Sequence, residues 1–156
     1  MYSYLFYMKA PEFNLLDQNG DIHSLAKYNG QIVLLYFYPK DDTPGCTVEA
    51  CSFRDNLSEL KKLGVQVLGV SGDDIGSHEK FVQKYQLNFP LLADTDHKVG
   101  QAYGVYGEKS LFGKLLMGFK RESFLINKQG DIVKHYQGVK PEEHVAEIMI
   151  DAKNLL

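Results

Sequence analysis

Hydrophobic positions along the chain switch between two periods. Residues 32 to 38, "IVLLYFY", are apolar without a break and rich in β-formers. Such a run predicts a central strand covered by helices on both faces. From Cys46 to Leu63 the apolar positions Val48, Cys51, Phe53, Leu57, Leu60 and Leu63 recur at roughly helical spacing until Gly64 stops them. "VQVLGVS" (65 to 71) predicts a second central strand, "SHEKFVQKYQL" (77 to 87) a helix, and "FPLLAD" (89 to 94) a short strand with a helix after it. Upstream, Asn19-Gly20 between two short apolar runs is a strong hairpin signal. Downstream, "RESFLINKQGDIVKHYQG" (121 to 138) predicts another hairpin, and "PEEHVAEIMIDAKNLL" a closing helix with Pro141 in its first turn. The segment from Gly104 to Lys120 holds four glycines and no clean period, and reads as a loop. "MYSYLFY" (1 to 7) reads as an edge strand or an extension.

Strands alternate with helices, with no internal repeat and no Ser/Gly/Pro-rich linker, which predicts one α/β domain over residues 1 to 156. A chain of 156 residues is long enough to bury about two-thirds of its unfolded surface. Composition narrows the functions open to it. No apolar run reaches the roughly 18 residues of a membrane span. A net charge of −3 without a basic block argues against nucleic acid and anionic lipid as partners, leaving a small substrate. The first residues lack the charged start, apolar core and small-residue cleavage site of a signal peptide. Two cysteines in such a chain point to a reducing, cytoplasmic compartment, where a thiol is reactive, metal-binding or simply buried.

Both thiols fall in "YPKDDTPGCTVEAC" (38 to 51), where a strand delivers a loop that opens a helix. That places a site at the C-terminal edge of the sheet, where α/β domains bind their ligands. Cys46 sits in the first helical turn, among backbone N–H groups without intrahelical partners and at the positive end of the macrodipole, so thiolate is favoured over thiol. Thr43 adds a hydroxyl three residues earlier, and Pro44 fixes the turn while removing one competing donor. The helix is not sufficient alone. A free cysteine of pKa about 8.5 is about 3% thiolate at pH 7, and lowering that pKa by about 2.5 takes about 3.4 kcal/mol. A helix terminus supplies at most about 2 kcal/mol. A second positive charge is needed, and Arg121, opening "RESFLI", is the candidate. Ionisation would raise the thiolate fraction roughly 30-fold but lower its nucleophilicity by roughly 13-fold, a net gain of about twofold. Thr43, Arg121 and the loop N–H groups must therefore act chiefly on the transition state.

With Pro39, Thr43 and Cys46, "PKDDTPGC" matches the Pro-x-x-x-Thr-x-x-Cys signature of peroxiredoxins. The wider "FYPKDDTPGCTVEACSFRD", "APEFNLLDQNG" and "GEKSLFGKLLMGFKRESFLINKQGDI" resemble the bacterioferritin-comigratory-protein or PrxQ subgroup, so the likeness covers nearly the whole chain. The resemblance implies a thioredoxin-like fold, a mixed central sheet flanked by helices with an N-terminal hairpin. It implies a peroxidase of hydrogen peroxide and organic hydroperoxides, recycled by thioredoxin or a similar dithiol and needing no metal, flavin or nucleotide. Carried over, it makes Cys46 the peroxidatic cysteine, Thr43 and Arg121 its activating partners, Pro39 the shield of the pocket, Glu49 the residue that helps hold the arginine, and Cys51 the resolving cysteine. Gly45 falls beside Cys46 in the same pocket. A chain without a C-terminal extension is compatible with a monomer.

Ideal helix geometry adds a constraint to that pairing. Residues five apart lie about 8.7 Å apart between Cα atoms, whereas a disulfide needs about 4.4 to 6.8 Å. The first turns would have to unwind in each cycle, and Pro44-Gly45 gives the chain somewhere to move.

Plainer readings stand beside these. Cys46 and Cys51 could be small buried hydrophobes, Cys51 being also on the apolar helix spacing. Cys-x4-Cys is not a usual zinc spacing, and His23, His78, His97, His135 and His144 form no ligand pair. Lys40, Asp41 and Asp42 read as a solvated loop, and Glu49 and Arg54 as possible surface helix charges. "GEKS" (107 to 110) lacks the Gly-Lys adjacency of a phosphate loop, and Asn56-Leu57-Ser58 is a formal glycosylation acceptor inside a predicted helix. A disulfide oxidoreductase of thioredoxin type would want Cys-x-x-Cys, which is absent; a non-catalytic thiol redox sensor is the alternative outside enzymes.

Overall fold

In the computed structural model, which describes residues 8 to 156, the apolar run forms strand β4 (Ile32–Phe37), and every one of its residues is buried. The expected strand or extension over residues 1 to 7 lies outside the described residues. An eight-stranded sheet runs in the order β1 (Met8–Lys9), β10 (Asp131–Tyr136), β9 (Glu122–Ile126), β4, β5 (Val65–Ser71), β6 (Leu91–Ala93), β2 (Asn14–Leu16) and β3 (Ile22–Ser24). The sheet is mixed. β4, β5 and β6 are parallel, joined by helical crossovers, while β4–β9, β9–β10 and the β2–β3 hairpin predicted at Asn19-Gly20 are antiparallel.

The two faces of β4 feed two cores because alternate side chains point to opposite sides of a strand. Ile32, Leu34, Tyr36 and Tyr38 pack against α1 (Pro44–Lys62), Phe81 of α2 (Ile75–Tyr85) and Val145 and Ile148 of α4 (His144–Lys153). Val33, Leu35 and Phe37 meet Phe13, Leu25, Tyr28, Tyr103, Val105, Phe119 and Phe124. The second face is covered mainly by loops and neighbouring strands, a 3-10 turn (Ala26–Tyr28) and the five-residue α3 (Lys98–Ala102), so its helical cover is short.

Two further expectations are corrected. Residues 104 to 120 are not a loop: β7 (Tyr106–Leu111) and β8 (Lys114–Phe119) form a separate antiparallel ribbon. Phe112 (φ 51°) and Gly113 (φ 76°) turn it, both in the left-handed region that a two-residue hairpin turn demands. A phenylalanine there carries none of the usual Asn-Gly signal, and Leu115, Leu116 and Met117 are exposed, so the hydrophobic pattern follows no buried face. The closing helix also starts later than expected, at His144, with Pro141 in the turn before it.

Candidate active site

β4 ends at Phe37, and the chain passes through the buried Tyr38 and turns through Pro39–Thr43 into α1. Thr43 occupies the N-cap position in an extended conformation, yet its hydroxyl caps nothing and donates instead to the carbonyl of Lys40 at 2.8 Å. Pro44 has no N–H, and the first helical bond runs from Thr47 N–H to Thr43 O at 2.8 Å. The N–H groups of Gly45 and Cys46 are thus left to a ligand. The contrast with α2 is direct, since its N-cap, Asp74, accepts from Ser77 N–H at 2.8 Å. With its proton committed to Lys40, the Thr43 oxygen keeps lone pairs for an incoming O–H.

Cys46 is buried, 2% exposed, and its Sγ accepts from Arg121 Nη2 at 3.2 Å. The other arm of the guanidinium, Nη1, donates to Glu49 Oε1 at 2.9 Å. Arg121 lies just before β9, which pairs with β4, so sheet register brings a residue 75 positions away to the mouth of α1. Burial works against its charge, but the adjacent Cys46 sulfur and Glu49 carboxyl outweigh that and raise the guanidinium further. Gly45 makes this approach possible: a Cβ there would stand 3.0 Å from Arg121 Nη2 and 3.6 Å from Cζ.

Glu49 is not a surface charge. It is 0% exposed, its Oε2 has no partner among the described residues, and burial pushes its pKa up to about 7 against the lowering effect of Arg121. Pro39 is half-buried and lines an open cleft of about 550 Å³ with Lys109, Lys120, Arg121 and Val139. Lys109 was not anticipated, because its strand was not. Its Nζ donates to the carbonyl of Phe119 at 2.8 Å, and burial together with the nearby Arg121 charge pushes its pKa down. The site therefore gathers Pro39, Thr43, Gly45, Cys46, Glu49 and Arg121. Cys51 stands apart, half-buried one turn and a half further along the same unbroken helix, with both thiols free.

Asp41 also departs from the solvated loop expected of it. At 7% exposed, it joins Asp73 and His78 in a cluster whose ligand-type atoms lie within 4.8 Å of one another. Asp41 Oδ2 already contacts His78 Nδ1 and accepts from Ser77, Asp41 Oδ1 accepts from Tyr38, Asp73 Oδ2 accepts from Ser71 and the Asp41 backbone N–H, and His78 Nε2 meets the Leu92 carbonyl, so they form a satisfied polar network rather than an open cation site.

An uncapped helix start bearing a buried cysteine beside a half-buried arginine paired with a buried glutamate suits a nucleophilic sulfur that attacks an electrophile held by N–H donors. Residues 7 to 135 match the model of the AhpC/TSA family. The chain belongs to the AhpC/TSA family. Within it, this peroxiredoxin falls with the Bcp and peroxiredoxin Q proteins. It is 50% identical over 141 residues to a putative peroxiredoxin Bcp of Coxiella burnetii, covering 90% of this chain and 93% of that one. It is 44% identical to peroxiredoxin Bcp of Bacillus subtilis, covering 94% of each. Among solved structures, peroxiredoxin Q of Xylella fastidiosa superposes with a TM-score of 0.89 at 31% identity, covering 98% of both chains. The bacterioferritin comigratory protein of Xanthomonas campestris, studied for alkyl peroxide reduction, gives 0.86 at 35% identity over 91% of this chain and 90% of that one. The fold is thioredoxin-like, as expected, and no helix among the described residues is long and apolar enough to cross a membrane.

Proposed function

We propose that Cys46 is the nucleophile through which this peroxidase reduces hydrogen peroxide and organic hydroperoxides. The observation that carries the assignment is the bridging of Cys46 Sγ and Glu49 Oε1 by one guanidinium at the uncapped start of α1. The peroxide O–H donates to Thr43 Oγ1, and its oxygens face the free N–H groups of Gly45 and Cys46 and the Arg121 fork. Sγ attacks one oxygen and the O–O bond breaks. The second oxygen leaves with the bonding electron pair and takes up a proton as water or alcohol, while Cys46 becomes a sulfenic acid. Charge developing on the leaving oxygen is met by donors already in place, which is where the rate gain must lie given the near-cancellation between ionisation and nucleophilicity.

Cys51 then attacks the sulfenic sulfur, expels its oxygen as water and forms the Cys46–Cys51 disulfide. Thioredoxin or a similar dithiol restores both thiols. The whole chain works as one unit, as a monomer in the cytoplasm. The test is peroxide consumption with excess thioredoxin, its reductase and NADPH. Consumption over many turnovers is expected, and Cys46→Ser is expected to abolish it. A protein that takes up about one equivalent and stops is a redox sensor, and the catalytic reading is then wrong.

A further inference from the structure

Both cysteines lie in a segment whose two ends are tied to one residue of α2. At the near end Asp42, with φ 56°, accepts from Lys84 Nζ at 2.8 Å and from Tyr85 Oη at 2.9 Å. At the far end Arg54 Nη1 donates to the backbone carbonyl of the same Tyr85 at 2.6 Å, and Asn88 Nδ2 donates to the carbonyl of Arg54 at 3.3 Å. Asp41 reinforces the near tie from inside. Its Oδ1 accepts from Tyr38 Oη at 2.6 Å, its Oδ2 from Ser77 Oγ at 2.8 Å and lies 2.7 Å from His78 Nδ1, and its own N–H donates to Asp73 Oδ2 at 2.8 Å. His78 is 0% exposed and its Nε2 lies 3.0 Å from the Leu92 carbonyl, which can only accept. Nε2 therefore carries a hydrogen, and the contact between Nδ1 and Asp41 holds one more proton. Phe53 reinforces the far tie, fully buried and stacked on Tyr36 at 4.7 Å between ring centroids.

We propose that α2 brackets the redox segment: Asp41 and Asp42 are positioning residues that hold the Cys46 turn against Arg121 for the peroxide step, and Arg54 with Phe53 stops the unwinding of α1 before it spreads into the rest of the helix. The inference rests on the Cys46–Cys51 reading above. It gives the fold a reason for Asp41, a buried charge that touches no reacting atom. It also gives the local unfolding two fixed ends, so that the segment can open, join its sulfurs and close again without loss of the core. Residues 43 to 52 move, and α2 stays.

Two measurements test it. In a Cys51→Ser background, which removes the disulfide from the question, stopped-flow oxidation of Cys46 is expected to slow by ten- to a hundredfold in Asp41→Ala, the order of loss that a misplaced reacting group brings. Asp41→Asn keeps an acceptor for Tyr38 and a donor for His78 Nδ1, and is expected to stay within about threefold of the parent. Equal rates in all three proteins, or equal losses in both variants, overturn the positioning role. Should Asp41→Ala not fold, the solvent-side variant Asp42→Ala decides: a loss of about threefold or more supports the bracket and an unchanged rate overturns it. Hydrogen exchange on the oxidised native-sequence chain is the second arm. Amides of 47 to 56, whose helical acceptors are the carbonyls of 43 to 52, are expected to lose protection while 57 to 62 keep theirs, and Arg54→Ala is expected to extend the loss to Leu60. Loss across the whole helix in the parent, or no extension in Arg54→Ala, overturns the bracket. Mass analysis of the oxidised chain separates this from failure of the earlier reading, because a chain with no 46–51 disulfide refutes that reading first.

Discussion

Glu49 is held in its place against its own hydration, and the consequence is measurable as stability. Its carboxyl titrates near 7 in the folded protein against an ordinary value of 4.5, with burial as the main cause and Arg121 opposing it. Between about pH 4.5 and pH 7 the folded chain holds a proton that the unfolded chain has released, so stability falls as pH rises through that window and stays lower above it. The difference of 2.5 between those two values corresponds to about 3 kcal/mol. Glu49→Gln keeps the shape and a hydrogen-bond acceptor for Arg121 but has no charge to bury. At about pH 8 the variant is expected to be more stable than the parent by about 3 kcal/mol, and at about pH 4 the two are expected to be nearly equal. Urea unfolding at both pH values, read as the double difference, cancels every other titrating group. Its peroxidase activity should fall even as it gains stability, because Arg121 loses its counter-charge. A variant that is no more stable than the parent at about pH 8, or equally displaced at both pH values, refutes the reasoning.

Two substitutions test the rest of the site. Cys51→Ser is expected to keep the first oxidation of Cys46 but lose or slow recycling by thioredoxin, leaving a sulfenic acid that a dimedone-type reagent traps; unimpaired recycling would show that Cys51 does not resolve. Gly45→Ala should separate stability from activity. Alanine favours a helix over glycine by up to about 1 kcal/mol, while the added Cβ meets Arg121 Nη2 at 3.0 Å and displaces a guanidinium fixed on both sides. The melting temperature should hold or rise as the peroxide rate falls by about tenfold, and a parental rate would show that the fork tolerates the shift.

The parts of this protein legible in its sequence are those where local pattern and tertiary packing agree. The unbroken run 32 to 38 reads as a central strand buried on both faces, and its neighbours β5 and β9 supply the parallel and antiparallel pairs that put Arg121, just before β9, opposite the end of β4. Cys46, Thr43 and Pro44 were readable because a thiol at a helix start has a physical reason to be there. Asp41 was not. A charge in a loop of charges reads as solvated, and only the fold discloses that Tyr38, Ser77 and His78 converge on it from β4 and α2. Glu49 shows the same limit more mildly, because its helix position does not reveal that both carboxylate oxygens leave water. The β7–β8 ribbon escaped for a different reason: its turn is made by Phe112-Gly113 and its apolar side chains are exposed, so neither turn chemistry nor periodicity marks it.

The buried Glu49 also bears on how the two sulfurs meet. Disulfide formation must undo the first turns of α1, exposing Cys46, Glu49 and Ala50, all of which are buried. Loss of those contacts opposes opening, but Glu49 favours it. Once the turn unwinds, its carboxylate returns to water and the cost of keeping it buried, about 3 kcal/mol at about pH 8, is recovered. That is a factor of about 300 in the opening equilibrium, set by the same residue that holds Arg121 for the peroxide step. Glu49→Gln removes the recovery. Once Cys46 has been oxidised, the variant should form its 46–51 disulfide more slowly than the parent, by up to about 300-fold at about pH 8 and by little at about pH 4. Rapid acid quenching after one equivalent of peroxide, with mass analysis of the disulfide fraction over time, gives both rates, and their ratio removes the pH dependence of Cys51 itself. A ratio that stays the same at both pH values would mean that Glu49 remains buried while the sulfurs join, and that α1 opens without its first turn letting go of Arg121.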